Sequence, residues 1–193
     1  MLISFSGAQS SGKTTLLNEF QRTETSWDYV PEITRLVKRE YDLPINEDGG
    51  DLTQIMIMGE HLRNAFAKRS GVTILDRCSL DGVVYTHWLS NKKKVLSSTY
   101  LHAKYVFEST VGKYDLVIYT SPHDVPVVDD GERSIDIDFR NEIIDLFDRY
   151  IKSIPESKLL RVFGSVEERK KQINDRLIEL GININLKDTN NRL

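Results

Sequence analysis

Residues 7–14 read Gly7-Ala8-Gln9-Ser10-Ser11-Gly12-Lys13-Thr14. The spacing is G-x-x-x-x-G-K-[ST], the phosphate-binding P-loop, with no mismatch. An apolar run with Leu2, Ile3 and Phe5 precedes it, and a helical run with Thr15, Leu16, Leu17 and Phe20 follows. The motif's mechanism requires that strand–loop–helix setting. Glycines let the backbone wrap an anion. Gly7, Ser10, Ser11, Gly12 and Thr15 are therefore expected to face the phosphates of a nucleotide. The helix N-terminus adds partial positive charge. Lys13 is expected to bridge the outer phosphates and the Thr14 hydroxyl to ligate Mg²⁺. The competing reading is a Gly-rich turn with an idle lysine.

Composition bounds the setting. A chain of 193 residues is long enough for one domain with a proper core. Its 39% hydrophobic and 28% charged content is ordinary for a globular protein. A net charge of −3 gives no global pull toward nucleic acid or anionic membrane. The single cysteine, Cys78, excludes an internal disulfide and suits a reducing compartment. Met1 runs straight into the first strand, and no apolar stretch reaches transmembrane length. The expectation is a cytoplasmic protein without membrane contact.

Apolar runs alternate with helical patterns, which predicts βαβ units and a parallel α/β sheet. Strands are expected at 2–6, 27–30, 72–75, 115–119 and 159–163. Helices are expected near 13–22, 32–41, 51–69, 79–90, 98–112, 136–153 and 165–180. Val72–Leu75 and Leu116–Tyr119 read as strands buried on both faces. Pro31 suits a first helical position, Asp51 and Ser165 suit N-caps, and Gly71, Gly112 and Gly181 suit helix ends. Residues 1–180 form the expected domain. The loop 121–134 (SPHDVPVVDDGERS) follows a strand, where α/β folds carry their sites. The tail 181–193 is polar. Lys92-Lys93-Lys94 reads as a solvated turn.

A phosphate loop alone does not separate motor, switch and kinase. A guanine-binding Asn-Lys-x-Asp is absent, as is a switch-type Asp-x-x-Gly after a strand. The chain also lacks the length of a motor's second subdomain. A small kinase fits best, and four features suit phosphoryl transfer. Tyr29–Arg35 (YVPEITR) ends the second strand at the P-loop's crevice. Glu32 is placed to accept a proton from an attacking hydroxyl, and Arg35 to hold the acceptor. A helix-stabilising acid and a solvated arginine are the alternative. Val72–Arg77 (VTILDR) is an apolar strand ending in Asp76, which would orient Mg²⁺, with Arg77 on substrate or transferring phosphate. Asp81, a turn later, is a weaker candidate for the acceptor. Asp129–Arg133 (DDGER) reads as a lid, with Arg133 folding over the phosphates and Arg140 on the same helical face. Phe163–Arg169 (FGSVEER) would flank the purine. Cys78 adjoins Arg77, but a packed, inert thiol is expected. The histidines lack metal-ligand spacing. His61, Arg63 and Trp88 lie on helices placed to roof an acceptor pocket, while Tyr85 and Trp88 read as helix packing.

With these pieces the chain resembles the P-loop nucleoside/nucleotide kinase superfamily. It is most similar to the NadR-like, ribosylnicotinamide kinase branch with its phage-encoded kinases. The matching stretches are FSGAQSSGKTTLL, VPEITR and VVDDGERSIDIDFR. The resemblance implies a three-layer fold with a five-stranded parallel sheet in order 2-3-1-4-5, a lid, and ATP–Mg²⁺ as donor. By it, Lys13, Thr14, Asp76 and Arg133 match donor-site positions, and Glu32 and Arg35 acceptor-side ones. One element departs. Asp76-Arg77-Cys78 is more similar to the Asp/Glu-Arg-Ser element of deoxynucleoside and thymidylate kinases. That turns the expectation toward a (deoxy)nucleoside, its monophosphate or a modified base. The expected reaction carries the γ-phosphoryl group of ATP to a small nucleoside- or nucleotide-like acceptor. Two alternatives stay open: a kinase of 5-hydroxymethyluracil in DNA, and a non-catalytic ATP-binding regulator.

Overall fold

The computed structural model of the chain describes residues 1–122 and 136–184. Five strands, β1 (Leu2–Ser6), β2 (Asp28–Val30), β3 (Thr73–Asp76), β4 (Leu116–Thr120) and β5 (Leu159–Val162), form one sheet. All pairings are parallel and the order is β2-β3-β1-β4-β5, as expected. Between them run α1 (Lys13–Thr23), α2 (Ile33–Tyr41), α3 (Asp51–Phe66), α4 (Ser79–Asn91), α5 (Ser97–Thr110), α6 (Ile137–Tyr150) and α7 (Val166–Glu179). Among the described residues, no helix is long and apolar enough to cross a membrane. The expected lid, with Arg133, lies outside the described residues, as does the tail beyond residue 184.

Strand periodicity of two explains the layers. Ile3, Phe5, Ile74, Leu116 and Ile118 face α1 and α7 with Leu16, Phe20, Ile173 and Leu177. Leu75, Val117 and Tyr119 face the opposite layer, with Val83 and Val84 from α4, Val106 and Phe107 from α5, and Ile143 and Phe147 from α6. Both faces are therefore covered, as continuous apolar strands require. Register then positions the site. Phe5 pairs with Asp76 and Ser6 with Tyr119, so the carboxyl ends of β1, β3 and β4 meet at one edge. The P-loop leaves that edge at Gly7. Its φ of +140° suits glycine, and a Cβ there would stand 2.8 Å from the Thr120 carbonyl oxygen.

The helix ends correct some expectations. Gly50, not Asp51, caps α3. The Asp51 carboxylate instead accepts the Leu96 N–H, 2.8 Å away, and the Thr99 hydroxyl. It caps the neighbouring α5 rather than its own helix. Pro31 lies outside α2, whose N-cap is Glu32. Gly112 falls in a short 3₁₀ turn after α5, and Gly71 lies five residues beyond the end of α3. Ser165 does cap α7, reciprocally with Glu168. Gly181 ends it at φ +77°.

Arg169 locks three loops together and is 2% exposed. Its guanidinium donates to the carbonyl oxygens of Gly164 (2.8 Å), Ser11 (2.8 Å) and Ser121 (3.0 Å). These belong to the β5–α7 turn, the P-loop and the end of β4. Arg169→Met is expected to cost about 3 kcal/mol, because three carbonyls lose their buried donor. In a chain of this size the thermal midpoint should then fall by roughly 6–12 °C, read by circular dichroism. An unchanged midpoint would show that the loops hold without this residue.

Candidate active site

The P-loop is held from beneath by one carboxylate. Asp81, in the first turn of α4, is 2% exposed. Its Oδ2 accepts from the Ser6 hydroxyl at 2.7 Å and the Cys78 N–H at 3.2 Å. Its Oδ1 accepts from the Gly7 N–H at 3.3 Å and Arg77 Nη1 at 3.2 Å. Asp81 is thus an anchor that ties β1 to the β3–α4 turn, more than the substrate contact the sequence suggested. Cys78 is fully buried, and burial pushes its thiol up to about 12. It is inert, as expected.

Lys13 begins α1 with its ammonium turned back into the loop. Nζ donates to the carbonyl oxygens of Gly7 (2.7 Å) and Ala8 (2.8 Å) and to Ser11 Oγ (3.2 Å). Burial lowers its pKa to about 7; Arg77 lowers it further, against Asp81, Asp76 and Glu32. Ser11 is fixed by Thr120, with 2.7 Å between the hydroxyls. Ser10 has a φ of +53°, and its buried hydroxyl has no partner among the described residues. Gly12, at φ +83°, is the N-cap of α1. Thr14 and Thr15 follow with exposed side chains. The loop thus offers an unsatisfied hydroxyl, an ammonium and a helix N-terminus at one small hollow. The hollow is lined by Ser10, Ser11, Gly12, Lys13, Thr14, Glu32 and Arg77. That donor set fits a polyphosphate.

Glu32 and Arg77 close the opposite side. Arg77 Nε donates to Glu32 Oε1 at 2.6 Å, and Arg35 Nε donates to Glu32 Oε2 at 3.1 Å. Burial alone would raise the Glu32 carboxyl, but Arg77, Lys13 and Arg35 outweigh it and hold the pKa below its ordinary value. Arg77 adopts φ +77°, and its guanidinium also lies 5.6 Å from the Tyr85 ring centroid. Asp76 differs. Its Oδ1 is buried without a hydrogen-bond partner among the described residues. Burial pushes the carboxyl up to about 6, and Glu32 adds to that against Arg77 and Lys13. Asp76 shares the wall of a groove of about 450 Å³ with Thr14 and Glu32. An orphaned carboxylate oxygen beside a helix-terminal threonine fits a divalent cation. Among the described residues, no group of three or more His, Cys, Asp or Glu side chains forms a metal site.

Beyond Glu32 lies a narrow cleft of about 20 Å³ between α2, α3 and α4. Glu32, Gln54, His61, Arg77, Asp81 and Tyr85 are among its walls. His61 roofs it as the sequence suggested; burial lowers its pKa to about 4, so the imidazole is neutral. Arg63 pairs with Glu60 on the surface, and Trp88 bonds Glu142 between α4 and α6. Neither reaches the cleft. Tyr85 packs and also bonds, its hydroxyl donating to Gln9 Oε1 at 2.9 Å. Gly82 permits the close α3–α4 approach, because a Cβ there would meet Met58 Sδ at 2.2 Å. Arg140 does reach the loop. It donates to the carbonyls of Gln9 (3.4 Å) and Pro122 (2.6 Å).

Lys13, Glu32, Arg35, Asp76 and Arg77 therefore converge, with Thr14 beside them and Arg140 behind the loop. Arg133 lies outside the described residues. Sequence reasoning missed Gln54 and Gln9, and it named Arg169 only as part of the turn expected to flank the purine. Arg169 did leave a signal. A cation in the first turns of a helix opposes the helix dipole, so it needs a reason elsewhere.

The fold recurs in known structures. The NadR protein, solved with NR, superposes with a TM-score of 0.70 at 17% identity, over 95% of this chain and 52% of that one. The chain thus spans about half the length of that relative. Deoxyadenosine kinase from M. mycoides, solved with dCMP, gives 0.69 at 17% identity over 93% and 100% of the two chains. Thymidylate kinase from Candida albicans gives 0.64 at 13% over 95% and 96%. No curated protein matches by sequence. The shared architecture is the P-loop kinase fold. Residues 2–169 match the family described as the AAA domain, and the chain belongs to that family.

Proposed function

We propose that the chain is an ATP- and Mg²⁺-dependent kinase that phosphorylates a hydroxyl of an uncharged, nucleoside-like acceptor. One observation carries the reading. A phosphate cradle built on Lys13 faces the Glu32–Arg77–Asp76 cluster, and a side-chain-lined cleft opens behind that cluster. Kinase chemistry needs positioning and charge neutralisation at such a junction, with little covalent work for the protein. The neighbouring folds, two of them named as nucleoside or nucleotide kinases, support it.

The roles follow from the geometry. The loop N–H groups, the Ser10 hydroxyl and Lys13 bind the donor phosphates. Thr14 and Asp76 would hold Mg²⁺, which supplies charge neutralisation at the transferring group. Glu32 stays ionised, because Arg77 and Arg35 hold it so, and accepts the hydrogen bond of the attacking hydroxyl. Arg77 stands between Glu32 and Asp81 and steadies both. The acceptor's charge follows from the same pairs. Arg77 is neutralised by Glu32 and Asp81, and Arg35 by Glu32. The walls of this cleft therefore suit a neutral sugar and base better than a phosphate, and at about 20 Å³ the cleft must widen to admit them. A second reading, a kinase of a hydroxymethylated base in DNA, draws on the open groove beside Asp76, which also carries Asn18, Gln21 and Tyr29.

Labelled ATP offered with nucleosides, mononucleotides, nicotinamide riboside and hydroxymethylated duplex DNA should label a nucleoside hydroxyl. Label confined to the DNA selects the second reading, and label confined to mononucleotides overturns the neutral acceptor. ATP binding without label in any acceptor would leave the regulator.

The carboxylate at Asp76 must be ionised to hold a cation. We expect kcat/KM to fall as pH drops through about 6. Raising Mg²⁺ should move that limb to lower pH, since the metal binds only the ionised form. The sign for stability is opposite. A raised acid pKa means that the free protein loses stability as pH climbs from about 3.8 to about 6. Asp76→Asn should therefore lose turnover by orders of magnitude yet melt no lower above that window. Wild-type turnover in the variant would remove Asp76 from the site.

Lys13, lowered to about 7, is largely neutral at pH 8 in the free protein. Bound phosphates favour its charged form. Calorimetry in buffers of different ionisation enthalpy should then show uptake of about one proton per nucleotide at that pH. Binding with no proton uptake would contradict the assigned role of Lys13.

A further inference from the structure

One cavity lies apart from the site. It measures about 380 Å³ and opens between the second halves of α4, α5 and α6. It shares no lining residue with the phosphate hollow, the groove beside Asp76 or the cleft. Its volume falls within the roughly 300–1,000 Å³ of small-molecule pockets.

The aromatic walls are fixed. The His87 ring stacks on Tyr100 with centroids 4.5 Å apart. The Tyr150 hydroxyl lies 3.0 Å from His87 Nδ1 and 2.9 Å from the Tyr100 hydroxyl. The Tyr150 ring meets Phe107 edge-on, with 5.7 Å between centroids. These contacts tie three helices together. A packing role accounts for them, but not for the space left beside Phe107, Val111 and Tyr150. A preformed apolar wall of that kind suits another aromatic ring.

Charge decides what the ring carries. Lys104 and Arg149 also line the cavity. Arg149 stands in the last turn of α6, which suits the helix dipole. Its guanidinium nevertheless has no hydrogen bond or carboxylate partner among the described residues. Burial lowers the His87 pKa, and Arg149 lowers it further, so the imidazole beside that guanidinium is neutral. Lys104 has Glu108 at 3.7 Å, beyond hydrogen-bond length. One acid thus stands against two cations. The adjoining cavity of about 280 Å³, which Arg149 also lines, differs: Glu142 and Asp145 balance Lys92 and Arg149 there.

We infer that the larger of these two cavities binds a small aromatic anion, a planar ring bearing one carboxylate or phosphate group. The ring lies against Phe107, Val111 and Tyr150, and the acidic group meets Arg149 and Lys104. The inference does not depend on the kinase reading.

Proton–nitrogen correlation NMR of the intact chain is the test, because it locates the probe. Adenosine monophosphate and naphthoate share the required chemistry and separate phosphate from carboxylate. At least one should shift the amides of residues 87, 104–111 and 149–153 saturably, with a dissociation constant below about 1 mM. Inorganic phosphate and adenosine each lack half of that chemistry, and should bind there at least about tenfold more weakly. Arg149→Gln should weaken binding about tenfold through loss of a charge-assisted hydrogen bond. Ser153→Trp should abolish binding by filling the cavity. Both positions are exposed, so the fold should persist. Arg161→Gln removes the same charge at an exposed position elsewhere and should bind as wild type does. Shifts confined to the phosphate loop, or none with either probe, would overturn the proposal. So would binding that Arg149→Gln leaves intact, or that Arg161→Gln weakens equally.

Discussion

The carboxylate of Asp81 is the contact on which the site depends. Buried beneath the P-loop, it takes four donors: the Ser6 hydroxyl, the Gly7 and Cys78 amides, and Arg77. Each comes from a different requirement. Ser6 ends β1, Gly7 opens the phosphate loop, Cys78 caps α4, and Arg77 reaches across to Glu32. A single buried carboxylate thereby fixes the distance between the phosphate loop and the Glu32–Arg77 pair. An isolated buried carboxylate is costly, but four donors, one of them cationic, offset that cost. Arg77 in turn holds Glu32, so the anchor reaches the start of α2 through one ion pair.

The same logic accounts for the tight packing of α3 on α4. Gly82 follows Asp81 directly, and its missing Cβ lets Met58 and His61 approach. His61 then forms the roof of the cleft as a neutral imidazole, because the site that buries it also dries it. The cleft walls are thus set by packing around Asp81 and Gly82.

The phosphate loop was legible in the sequence, since its glycines and lysine stand at fixed spacing between a strand and a helix. Gly7, Gly12 and Lys13 could be read at once, and alternation gave the parallel sheet. Glu32 and Asp76 were legible because strand ends of a parallel sheet share one edge. The acceptor side was not. Gln54 lies on α3 at ordinary helical spacing, and only tertiary packing turns it inward; of that helix's residues lining the cleft, His61 alone was expected there. Asp51 misled for a related reason. A carboxylate before a helical run reads as its own cap, whereas here the nearer orphan amide belongs to α5. Arg169 was visible as a motif member, yet its bonds to three separate loops have no local signature.

Charge within the site is arranged against itself in the free protein. Lys13 is drawn toward neutrality by burial, and Asp76 is drawn toward neutrality by burial and by Glu32. Neither finds a full partner: Lys13 donates to neutral carbonyls, and Asp76 Oδ1 bonds nothing among the described residues. Glu32 and Arg77, by contrast, satisfy one another. The two strained ionisations are the two that a metal–nucleotide complex would relieve, the lysine by phosphate and the aspartate by cation. The two satisfied groups are those an acceptor would meet. On the kinase reading proposed above, the unfavourable electrostatics lie where the donor would bind, and a donor with its cation would restore both charges at once. On that reading the coupling would favour a charged donor with its metal over either alone, and the acceptor would be selected by shape and hydrogen bonding.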